Sequence, residues 1–234
     1  MLAIYKREMR AYFISPLGYV FLGVYFALTA AIFCFTTLYA MTSELTDYFA
    51  AVLFSLVILL PLLTMKLFSE EKKQRTEQLL LTAPVSVFSI VFAKFLAAYT
   101  MFGGATLCTG FYFVFLSFFG NVQAGLLLGN LIALLLVGMA FIAVGVFVSS
   151  VTETQLSAAI LTIGILLGFM LISSFSSYIP VEGIRFVLSA LSVFDRFQNF
   201  AHGFFDIAGL VYYLSITALF LLLTMRSVDR RRWR

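Results

Sequence analysis

Apolar residues run along this chain in long unbroken blocks, and the ionisable positions are confined to short islands between them. The charge-free intervals are 11–43, 48–65, 95–152, 154–181 and 207–225. A helix that crosses a hydrocarbon core needs about 20 mostly apolar residues and tolerates few ions at mid-bilayer. Each interval therefore supplies at least one crossing. The third holds 58 residues, enough for two, with Phe119-Gly120-Asn121 as the turn between them. The pattern predicts an all-α integral membrane protein with six transmembrane helices at 17–41, 48–68, 87–117, 124–149, 155–178 and 207–225.

Three segments outside the spans carry their own pattern. In 1–15, Leu2, Tyr5, Met9 and Tyr12 share one helical face while Lys6, Arg7 and Arg10 take another, and Pro16 interrupts the repeat. This predicts an N-terminal interfacial elbow helix with its aromatic and aliphatic face in lipid and its cations near headgroups; a plain basic lead-in is the simpler reading. The connection 69–84 packs six of the 26 charged residues into 70–77, among good helix formers and ahead of Pro84. A short surface helix follows, and its composition suits either docking on a soluble partner or a merely solvated face. The connection 179–206 mixes Phe186, Leu188, Phe194, Phe197 and Phe200 with Arg185, Asp195, Arg196, His202 and Asp206. It is too apolar for an exposed loop and too charged for a full span. Short helices dipping into the outer half of the bilayer, or interfacial helices that seal the bundle, both fit.

Composition narrows the function classes. The chain is 62% hydrophobic and 11% charged, with mean hydropathy +1.06, against about 45–50% apolar and about 25% charged in soluble domains. That excludes a soluble catalytic or nucleotide-binding domain, and no Gly-x-x-x-x-Gly-Lys-Ser/Thr loop is present to cradle phosphates. The cations are unevenly distributed. Lys6, Arg7, Arg10, Lys66, Lys72, Lys73, Arg75, Lys94, Arg226, Arg230, Arg231, Arg232 and Arg234 fall on one side, and only Arg185 and Arg196 on the other. The positive-inside rule then places both termini in the cytoplasm and reads the net charge of +4 as topology rather than nucleic-acid binding. The first apolar run is longer than the roughly 7–15 residues of a signal-peptide core and is expected to stay in the membrane.

Candidate chemistry is sparse. Cys34 and Cys108 lie within apolar runs and read as small buried hydrophobes. His202 reads as a local hydrogen-bonding group. No Asp, Glu or His stands at mid-span, which argues against an ion-coupled carrier. Lys94, about 10 Å into its helix at 1.5 Å per residue, is expected to snorkel its ammonium to the headgroups, with cargo contact as the alternative. Pro61 should kink the second span. Gly103, Gly104, Gly138, Gly145, Gly164 and Gly168 permit close helix approach, within one subunit or between two, the last pair at Gly-x-x-x-Gly spacing.

The stretch Leu60-Pro61-Leu62-Leu63-Thr64-Met65, then Glu70-Glu71-Lys72-Lys73-Gln74-Arg75-Thr76-Glu77-Gln78-Leu79-Leu80-Leu81-Thr82-Ala83-Pro84-Val85-Ser86 and Lys94-Phe95, resembles the permease subunit of a type-2 ABC exporter. There an acidic pair, a basic run, Thr-x-x-Leu-Leu and Pro-Val-Ser precede a lysine. The opening Lys6-Arg7-Glu8, Tyr12-Phe13 and Ser15-Pro16-Leu17-Gly18-Tyr19 look most similar to the gliding-motility and copper-processing group, although Arg75 stands where the family often has Gly. The resemblance implies one permease domain over 1–234, with an elbow helix at 1–15, a coupling-helix loop at 69–84 and an extracellular re-entrant hairpin at 179–206. It implies that Glu70, Glu71, Arg75, Thr76, Glu77 and Leu80 contact an ATPase. Two cytoplasmic ATPase subunits would hold ATP and Mg, this chain binding no cofactor, metal or nucleic acid and having no catalytic residue. A second permease chain, identical or related, would complete a multi-pass complex in the bacterial cytoplasmic membrane. Export of a lipid-like or amphipathic cargo is the expected activity. The competing classes are a non-transporting scaffold and an integral membrane hydrolase or transferase, the latter lacking a Gly-x-Ser-x-Gly elbow or a histidine cluster.

Overall fold

The computed structural model describes residues 1–41, 45–73, 85–118, 124–176, 192–201 and 206–232, and these are helical almost throughout. Helix α1 spans Leu2–Ile14 and stops at Ser15, whose extended backbone (φ −81°, ψ 145°) is the conformation that a following proline imposes. Pro16 then takes the first position of α2, Pro16–Phe33, where its missing N–H is no loss. A π-type turn over Cys34–Leu38 extends α2. Helices α3, Thr46–Thr64, and α4, Lys66–Lys73, are separated only by Met65. Helix α5 is Val87–Ser117, α6 Ala124–Val151, α7 Gln155–Ser176, α8 Val193–Ala201 and α9 Ile207–Arg232. Among the described residues, six stretches are long and apolar enough to cross a membrane: α2, α3 with α4, α5, α6, α7 and α9.

Helices α3 and α6 form the centre of the bundle, and α2, α7 and α9 its periphery. Aromatic rings fill the interior between α2, α3 and α5, with Phe49 stacked on Phe113 at 5.5 Å and Tyr48 edge-on to Phe113 at 5.5 Å. Two glycines set the closest approaches to α6. A Cβ on Gly145 would stand 2.2 Å from Thr64 Oγ1 of α3, and one on Gly138 would stand 2.0 Å from the Phe102 ring of α5. Gly104, Gly164 and Gly168 face open space, so the Gly-x-x-x-Gly pair of α7 is not a packing seat for any of the described residues.

Several expectations change in three dimensions. The face of α1 expected in lipid turns inward: Tyr12 is buried, and Tyr5 and Met9 pack on the core. Tyr5 donates a hydrogen bond to Thr100 Oγ1 at 3.2 Å, so lipid is left with Leu2, Phe13 and Ile14. Cys34 and Cys108 are exposed on the outside of the bundle rather than buried, a solvent that apolar composition alone cannot distinguish from a core. The interruption of the second span comes at Met65, one turn after Pro61, and residues 66–68 belong to α4. The turn at 119–121 and 74–84, as well as 179–191 and His202, lie outside the described residues. Of the 179–206 segment, α8 packs against α6 and α7, with Phe197 buried and Val193 O accepting from Tyr213 at 2.8 Å.

Candidate functional site

At the end of the bundle where α4 packs against the last turns of α6, polar groups converge on the junction of the two helices. The first amides of any helix lack partners inside it, and Met65, preceding α4, has no side-chain acceptor to cap them. The cap comes from another helix. Ser149 of α6, fully buried, accepts from the backbone N–H of Phe68 at 3.1 Å and of Ser69 at 3.3 Å, and donates to Met65 O at 3.1 Å. The exchange is mutual. The ammonium of Lys72 on α4 donates to Thr152 O at 2.9 Å, just beyond α6, and the Arg231 guanidinium of α9 donates to Ser150 O at 2.5 Å. Both cations sit where a helix exposes unpaired carbonyls and the negative end of its dipole. Tyr12 ties α1 to the same joint by donating to Leu63 O at 3.0 Å, and burial followed by the Glu8 charge pushes its phenol well above the ordinary range.

Lys94 is the second centre. Its side chain is 1% exposed, which overturns the snorkelling expectation: the ammonium is enclosed by protein. It donates to Leu67 O at 2.7 Å, Glu71 Oε1 at 2.9 Å and Glu8 Oε1 at 3.1 Å, using all three of its protons. The Phe68 ring centroid lies 5.1 Å from Nζ. Arg7 Nη2 binds the same two carboxylate oxygens, Glu8 at 2.6 Å and Glu71 at 2.8 Å. Two cations and two anions thus alternate around a neutral ring that draws one corner from α4, one from α5 and two from α1. Burial opposes the Arg7 charge, but Glu8 and Glu71 outweigh it, and its pKa lies above the ordinary arginine value. Such a ring satisfies the rule that buried charge must be paired and hydrogen-bonded.

Of the residues expected to meet a partner, Glu70 and Glu71 are described. Glu70 is partly exposed and lies 3.9 Å from Lys66 one turn back, whereas Glu71 reaches inward to Lys94. Arg75, Thr76, Glu77 and Leu80 lie outside the described residues. Sequence reasoning missed Glu8 and Ser149. Glu8 carried a signal, standing between Tyr5, Met9 and Tyr12 on the face that becomes buried. Ser149 carried none, since any serine near a helix end reads the same.

Residues 34–225 match the family described as ABC-2 family transporter protein, a stretch that contains α4, Lys94 and Ser149 but not α1. No curated protein matches the chain.

Proposed function

This chain belongs to the ABC-2 family of transporter proteins and is a transmembrane ABC transporter permease; from that premise we propose that α4 is the element through which a separate ATPase drives it. One observation carries the reading. The most densely charged segment of the chain emerges directly from a central span and is bonded to α1, α5 and α6 at once, so a push on α4 is delivered to the core of the bundle rather than to a slack loop. In this reading the α4 end is cytoplasmic, as the distribution of 13 of the 15 cations requires, and both termini lie there. Glu70, Glu71, Arg75, Thr76, Glu77 and Leu80 belong to the coupling segment, α1 is the elbow helix, and 179–206 forms the outer hairpin of a single permease domain.

The working complex is a type-2 exporter in the bacterial cytoplasmic membrane, similar to the gliding-motility and copper-processing group. Two ATPase subunits hold ATP and Mg. A second permease, identical or related, covers outward faces such as that of α7, where Gly164 and Gly168 stand open. The Phe-rich interior suits a lipid-like or amphipathic cargo. The test is co-purification of the chain with an ATPase and vanadate-sensitive ATP hydrolysis by the complex in liposomes. Because Glu71 is bonded to Lys94, the coupling variant is Glu70→Lys with Arg75→Glu. It should insert normally and abolish stimulated hydrolysis; undiminished hydrolysis rejects α4 as the coupling element.

A further inference from the structure

We propose that Lys94 is a positioning residue whose shared ammonium makes α1, α4 and α5 move as one body, so that displacement of α4 reaches the third span and the N-terminal helix together. The proposal rests on the coupling role of α4 argued above and adds the part that transmits it.

An ionisable side chain buried in a membrane protein marks a functional site by default, with its partner as the first question. Lys94 has partners on two other elements. Glu8 Oε1 belongs to α1, Leu67 O and Glu71 Oε1 to α4, and all three lie within 3.1 Å of one nitrogen carried by α5. A buried ammonium needs three acceptors wherever they come from, and one helix could supply them all. Here two carboxylates from separate elements are held by the same ammonium and again by Arg7 Nη2, so α4 cannot leave the ring without stranding Glu71 and an uncompensated cation, and α1 cannot leave without stripping both Lys94 and Glu71 of a charged partner. The electrostatic penalty for independent motion is therefore shared, while concerted motion leaves every bond intact. Leu67 and Phe68 add a short-range brace, one through its carbonyl and one through its ring face. The Ser149 cap holds the start of α4 to α6 by weaker, uncharged bonds; the ring holds its middle to α5 by charged ones.

Lys94→Met alone leaves two carboxylates facing one guanidinium and is expected to lower folding yield. Lys94→Met with Glu8→Gln restores charge balance around Arg7 and Glu71, and separates folding from positioning. Spin labels at exposed positions, Lys73→Cys in α4 and Phe88→Cys in α5, with Cys34 and Cys108 replaced by Ser, report the α4–α5 distance in the purified chain. The expected result is a single narrow distribution with Lys94 present and a broadened or divided one in the balanced double variant, at an unchanged melting temperature. Glu8→Gln alone, which keeps Lys94 bound to Glu71, should stay narrow. In the complex with its ATPase, the double variant should lose about tenfold of the stimulated hydrolysis while still binding the ATPase. A double variant as narrow as the parent, or one that recovers full stimulation together with its melting temperature, overturns the proposal. Absence of vanadate-sensitive hydrolysis in the parent complex would instead overturn the coupling reading, and the distance measurement on the chain alone would still decide the role of Lys94.

Discussion

Replacing Ser149 with alanine isolates the cap that one helix lends to another. The hydroxyl accepts from Phe68 N–H and Ser69 N–H and donates to Met65 O. Ser69 can still return its amide to Met65 O in the helical pattern, and Met65 O keeps the Ser69 hydroxyl. The Phe68 amide is the group left without an acceptor, at a position where both its side chain and Ser149 are buried. An unsatisfied buried donor costs about 1–3 kcal/mol, and loss of a serine N-cap typically about 0.5–2 kcal/mol. A value near 2 kcal/mol satisfies both. It corresponds to about a 30-fold rise in local opening of α4 and, for a chain of this length, to about 4–8 °C in Tm. The assay is amide hydrogen exchange at Phe68 together with thermal unfolding in detergent. Ser150→Ala is the matched control, because among the described residues the Ser150 hydroxyl bonds only within its own helix, to Phe147 O at 2.7 Å, and should be nearly silent. If Phe68 stays as protected in Ser149→Ala as in the parent protein, α4 is capped some other way and the reasoning fails.

Gly138→Ala should destabilise by about 1–3 kcal/mol through overpacking against the Phe102 ring, whereas Gly104→Ala, facing open space, should leave Tm unchanged; equal melting points for the two would contradict the α5–α6 packing. Lys72→Met and Arg231→Met should each weaken the junction by about 0.3–1 kcal/mol, read as faster exchange in the last turn of α6, with high salt shrinking the difference. Tyr12→Phe should lose about 1 kcal/mol near neutral pH. Its alkaline behaviour has a definite sign: the folded-state pKa is raised above the unfolded value of about 10, so the stabilisation is complete below that pH and is lost as pH rises beyond it. Melting curves above pH 10 should therefore decline less steeply in Tyr12→Phe than in the parent protein.

The six helices long and apolar enough to cross a membrane among the described residues were legible because lipid imposes a one-dimensional rule: about 20 residues without charge are needed wherever hydrocarbon is the solvent. The break at Ser15-Pro16 was equally local and equally readable. The charged α4 was visible as a run of helix formers, although its start at Lys66 was not, because the break at Met65 depends on a serine 84 residues away. Lys94 shows the limit most directly. Snorkelling assumes that lipid surrounds the helix, and that assumption fails when α1 and α4 cover the position and replace water with two carboxylates. Glu8 had the right spacing on α1, but a single amphipathic face cannot say whether it lies on lipid or on protein, since both are apolar.

The sequence by itself determined which stretches are long and apolar enough to cross a membrane and where the charge gathers between them, because transfer free energies add along the chain. Only the tertiary structure decided which charges are buried and which helix caps which, because an ion pair between α1, α4 and α5 and a hydroxyl shared between α6 and α4 exist only where separate segments approach within hydrogen-bond distance.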